Sequence, residues 1–200
     1  MIHDVDDSLR RLVLRDAVNG SGVDVSFEAP TKDWAARRTA PTISVYLYDI
    51  HEDLERREVE YEEIRDDDGK VVSRKPPPRR FKLAYLVTVW TQRPEDEHRL
   101  LSMLLACFLS YDALPPEVLA GVLAEGRHRS LLSVALPSPA DRSLADVWSA
   151  LGGELKPSLD LVVNAPFDTA RVAAAGPPVI GPPQVDVAFL EEDGEPALTR

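Results

Sequence analysis

The chain has 200 residues, 44% of them apolar and 28% charged, with 34 acidic against 23 basic side chains and a formal net charge of -11. This balance belongs to a globular domain rather than a disordered or membrane-embedded chain, and the negative field disfavours nucleic acid, whose phosphates need a basic face. The single Cys107 excludes an internal disulfide and any multi-cysteine metal site.

The start, Met1 to Asp7, is acidic where a signal peptide would be basic and then apolar, and no apolar run approaches the roughly 18 residues of a membrane span. The expectation is a cytoplasmic protein with no membrane partner. Ile2, Val5, Leu9, Leu12 and Val13 recur at spacings of three and four and predict a helix that stops at Asn19-Gly20. Its acids lie early and its arginines late, as the helix dipole favours. After a loop holding Trp34, residues 42–50 are rich in β-branched and aromatic types and predict a strand. Residues 81–90 predict a second strand, apolar on both faces from Leu83 to Val89 and therefore central in a sheet.

Between these strands lies the most distinctive stretch. Glu58, Glu60 and Glu62 alternate with Val59 and Tyr61, Asp66-Asp67-Asp68-Gly69 supplies a turn, and Lys70 to Arg74 returns. The pattern predicts a β-hairpin too charged to enter a core, which must project from the body. Pro76, Pro77 and Pro78 then break the chain.

Pro94 with Glu95, Asp96 and Glu97 opens a helix through Tyr111 whose broad apolar face predicts deep burial. Pro115 starts a short helix ending near Gly126, Leu131 to Leu136 a strand, Asp141 to Leu151 a helix closed by Gly152-Gly153, and Pro157 to Asn164 the last strand. The fold class is α+β: a mixed, largely antiparallel sheet flanked by helices, joined by hairpins rather than repeated βαβ units. Residues 1–170 form the domain. Residues 171–200 are a Pro/Gly-rich linker that carries the alternating segment Val185, Val187, Phe189, a possible docking strand.

No constellation carries chemistry. His3, His51, His98 and His128 lie outside metal-ligand spacings, and Asp96 and His98, two apart on a helix, point away from each other. Asp66-Asp67-Asp68-Gly69 lacks the ligand alternation of a calcium loop, Gly152-Gly153 lacks the Lys-Ser/Thr of a phosphate loop, and Cys107 sits in an apolar helix where an inert thiol is expected. No catalytic, cofactor or metal residue is assigned, and an interaction role follows. An enzyme would require a cleft in which polar groups converge, which periodicity does not reveal.

Several segments taken in order carry a resemblance: Ile2 to Leu12, Val23 to Pro30 followed by Trp34, Tyr46 to Ile50, Glu52 to Arg57, Pro76 to Arg80, Glu95 to Leu101 and Trp148 to Leu159. Together they resemble the cap or tail-terminator family of phage-tail-like contractile injection systems, of the Photorhabdus virulence cassette and antifeeding prophage type, over residues 2 to 168. The resemblance implies a structural protein: a homo-oligomer, in this family a hexameric ring, on the distal end of the inner tube and contractile sheath. It would end polymerisation and anchor the sheath, with sheath protein, inner tube protein or a tube-terminating cap as partners, in a particle open to release from the cell. The alternative is a monomeric adaptor or assembly chaperone for another tail component. The interface residues expected are Val59 and Tyr61 on the hairpin, Arg79 and Arg80 after the proline break, and Val185, Val187 and Phe189 in the tail.

Overall fold

In the computed structural model of the chain, residues 1–126, 128–136 and 144–176 are described. Helix α1 (Ile2–Leu12) forms on the stripe read from the sequence, with Val5, Leu9 and Leu12 fully buried. A π-helical turn continues it over Val13–Ala17, and Gly20, at φ 71°, turns the chain away.

Strand β1 (Asp24–Ser26) runs parallel to β2 (Thr42–Glu52). The crossover between them carries α2 (Lys32–Ala36), capped by Thr31, whose Oγ1 accepts from the Trp34 amide at 3.2 Å. Two expectations are corrected here. Trp34 is on a helix rather than in a loop, and one connection is a parallel crossover rather than a hairpin. Five residues are too few to display a helical period, and what fixes them is tertiary: Trp34 is 2% exposed, and its indole meets Trp90 at 5.6 Å.

The acidic stretch forms β3 (Glu62–Arg65) and β4 (Val71–Lys75), and β5 (Arg79–Trp90) returns into the body. Helix α3 (Pro94–Leu109), a 3-10 turn at Pro116–Val118, α4 (Gly121–Glu125), β6 (Leu131–Val134), α5 (Leu144–Ala150), β7 (Leu159–Phe167) and β8 (Ala173–Ala174) follow. The main sheet has the order β1-β2-β5-β7-β6, with every pair but the first antiparallel.

Strand β5 is central, and every residue from Leu83 to Val89 is buried. Alternation sends Leu83, Tyr85, Val87 and Val89 into the core shared with α1 and α3. The opposite face is closed where Trp34 of α2 and Trp148 of α5 both meet Trp90. Residues 141–143 of the last predicted helix lie outside the described residues.

Two helices depart from expectation. In α3 the buried set is only Leu104, Cys107 and Phe108, while Met103 and Leu109 stand 40% and 66% exposed. The helix packs chiefly on β5, β6 and the π turn, so its buried groups follow one stripe while Leu100, Leu101 and Leu105 are only partly buried. The segment 115–126 is also not one helix: the chain breaks after Val118, where the Ala120 amide donates to Ser8 Oγ at 3.0 Å. Gly121 then turns at φ 50° against Asp4.

Candidate docking surfaces

Strands β3, β4 and β8 make a second sheet in that order, at the end of the molecule where β2 finishes and β5 begins. Asp66 to Gly69 closes the hairpin: the Gly69 amide donates to Asp66 O at 2.9 Å, Asp66 Oδ1 accepts from Lys70 N at 2.8 Å, and Gly69 takes φ 79°. Pairing starts at Glu62, not Glu58, because residues 57–61 meet no strand among those described. The hairpin is tied down by Lys75 Nζ, 2.5 Å from Asp168 Oδ2, and by β8, whose Ala173 and Ala174 pair with Arg74 and Ser73. β8 lies beyond residue 170, so described structure runs into the segment read as linker. The Lys75 ammonium, with the Ala170 amide, holds the Asp168 carboxyl below the usual carboxylate range.

The predicted interface residues divide. Val59 is 80% exposed and Tyr61 54%, with Ile64 and Val72 also presented to solvent. Arg79, by contrast, forms a forked ion pair with Glu52 of its own chain, Nε lying 2.7 Å from Oε1, and holds that carboxyl below its usual range. Arg80 donates to Arg129 O at 3.1 Å and to Asn164 Oδ1 at 3.2 Å. Asn164 Nδ2 in turn donates to buried Asp53, whose other oxygen faces Lys82 Nζ at 3.4 Å. Sequence reading missed this network, since its members lie up to 111 residues apart. Val185, Val187 and Phe189 lie outside the described residues.

The opposite end carries a groove of about 570 Å³ between α2, the end of β5 and the start of α3. Pro41 and Trp90 line it with Arg38, Arg93 and Arg99, and Asp96 is its one carboxylate. Arg38 lies over the Trp34 ring at 4.6 Å and pairs with Glu28 at 2.7 Å, and its buried Nε has no hydrogen-bond partner among the described residues. Arg93 has Glu95 at 3.7 Å, and Arg99 is exposed with no ion pair among the described residues. Nothing in the sequence marks this groove, because it gathers residues from three separate stretches of the chain.

Cys107 is buried and its thiol is pushed up to about 11, mainly by burial. Among the described residues no three His, Cys, Asp or Glu side chains are placed to hold a metal ion, and no helix is long and apolar enough to cross a membrane. A further groove of about 690 Å³ beneath the hairpin contains His128 and Asp168, but Asp168 is already engaged by Lys75.

The model of one family, the Pvc16 N-terminal domain, matches residues 4–181. The chain belongs to this family. The Pvc16 N-terminal domain seen here shares its fold with the sheath/tube terminator of PVC, an extracellular contractile injection system, in the extended state: TM-score 0.67, 23% identity, 96% of this chain and 66% of that one. It also shares its fold with the tube terminating cap of the anti-feeding prophage: TM-score 0.61, 24% identity, 93% of this chain and 62% of that one. The chain therefore spans somewhat under two thirds of the length of these proteins. No curated protein matches it in sequence. The mixed α+β fold expected from the resemblance is the one observed.

Proposed function

We propose that this Pvc16 N-terminal domain is a structural cap of a contractile injection system. Copies join into a ring, six in number by the family resemblance, on the distal end of the inner tube and sheath, where they end polymerisation and hold the sheath. The observation that carries this reading is the likeness of fold over 96% of the chain to a sheath/tube terminator, within the family to which the chain belongs. Support also comes from the form of the molecule: a buried two-sided sheet, and a charged segment leading into the hairpin that presents Val59 and Tyr61 to solvent.

Val59 and Tyr61 then act as contact residues, while Arg79 and Arg80 serve the fold through Glu52 and Asn164. The segment of Val185, Val187 and Phe189 adds as a strand to an open sheet edge of the sheath, where main-chain hydrogen bonds give affinity. Deleting residues 176–200 is expected to weaken sheath binding; unchanged binding removes the tail from docking. The reading as a whole is tested by electron microscopy of particles made without the protein. Tubes and sheaths of uncontrolled length, or sheath that does not stay assembled, are expected, and particles of normal length and stability would refute it.

A further inference from the structure

The two ends of the main sheet carry complementary surfaces. Strand β2 spans 11 residues from the groove end at Thr42 to the hairpin end at Glu52, which at roughly 3.3 Å per residue sets the ends about 36 Å apart. Too far apart to meet within one molecule, they can meet between copies. At the hairpin end, residues 58–68 hold Glu58, Glu60, Glu62, Glu63, Asp66, Asp67 and Asp68 against the lone Arg65. Their apolar groups Val59, Tyr61 and Ile64 are exposed. At the groove end, Pro41 and Trp90, whose ring also carries Lys156 Nζ at 4.1 Å, line the recess with Arg93, Arg99 and Asp96, while Arg38 is held by Glu28.

The geometry points to the groove as the seat of the acidic arm of a second copy of this chain, with Tyr61 against Trp90 and Pro41 and the glutamates on either side of Tyr61 facing Arg93 and Arg99. This rests on the cap reading and supplies the contact by which copies would join. Charge complementarity selects the occupant: like-charged surfaces of a chain at -11 repel, and this pairing sets an acidic segment of one copy on two arginines of the next that their own chain engages least, Arg99 with no ion pair among the described residues and Arg93 with only the exposed Glu95 at 3.7 Å. An aromatic anchor in an apolar recess with arginines around it is the composition of an interface hot spot. Because arm and groove are different surfaces, the contact is head-to-tail, the kind that closes into a ring when the rotation between copies permits. Residues 57–61 belong to no helix or strand, so their backbone groups and side chains are free to meet a neighbour, and the second sheet behind them gives the arm a fixed root.

The test is a cysteine pair, Tyr61→Cys with Gln92→Cys, in the full chain, oxidised both in purified protein and in assembled particles. Native Cys107 is buried and stays out of the reaction. A ladder of covalent oligomers is expected from the pair and not from either single variant. Absence of the ladder in both preparations overturns the proposal, as does a dimer from Tyr61→Cys alone, which would place arm against arm. Reversing the arm with Glu58→Arg and Glu60→Arg should lower the ladder yield about tenfold or more, and adding Arg93→Glu and Arg99→Glu should restore it. An unchanged yield on arm reversal, or no restoration while circular dichroism shows a folded chain, also overturns the proposal. Protein still found at one end of the particle with no ladder removes this contact and leaves the cap reading; protein absent from the ends removes the cap reading itself.

Discussion

Gly121 is the position where backbone and side chain constrain each other most tightly. It turns at φ 50°, and a Cβ placed there would lie 1.9 Å from Asp4 Oδ1. Gly121→Ala therefore combines left-handed strain with a clash against a buried carboxylate, and is expected to cost at least about 1–3 kcal/mol in urea unfolding; an unchanged midpoint would show that the α1–α4 contact gives way freely. The hairpin tether makes a second residue-scale prediction, with a sign. Asp168 titrates below its ordinary value because Lys75 stabilises its charged form. Its contribution is present above the ordinary aspartate value, near ~3.9, and lost as pH falls through the lower value of the folded protein. Amide exchange protection of Val71 to Lys75 should then decline on acidification below that range. In Asp168→Asn it should be lower already at neutral pH and lose that dependence.

Within the elements, burial separates what folds the chain from what it presents. Leu83→Ala, in the strand buried on both faces, should cost about 2–5 kcal/mol. Val59→Ser with Tyr61→Ser, on an arm open to solvent, should move stability by no more than about 0.5 kcal/mol each while weakening ring formation or sheath capture. The measurement is a pair of denaturation curves beside a sedimentation or particle-capture assay, and a large loss of stability in the arm variant would mean that the arm belongs to the core. The same distinction explains which elements were legible in the sequence. α1, β2, β5, the hairpin turn and β7 carry their own periodicity or turn chemistry, and their residues state what they do. β1, α2 and β8 are five residues or fewer, too short to show a period, and contacts with elements distant in sequence decide their place. The over-reading of α3 has a related cause: Met103, Leu109 and Leu104 are equally apolar in sequence, but only contact with the sheet and π turn decides which is buried.

For the whole molecule, the arm was visible as a charge pattern, whereas the groove at the other end was not, since Pro41, Trp90, Arg93 and Arg99 meet only once the sheet has formed. A cap must bind its own copies and the end of a polymer while offering no face on which another layer can grow. A net charge of -11 suits that requirement, because like-charged copies resist indiscriminate association. The claim on which all of this rests is location. The most direct measurement is electron microscopy of intact particles carrying a label on this protein. Label at one extremity of each particle, and nowhere along the sheath, is the predicted result; label distributed along its length, or absent from both ends, would contradict the account.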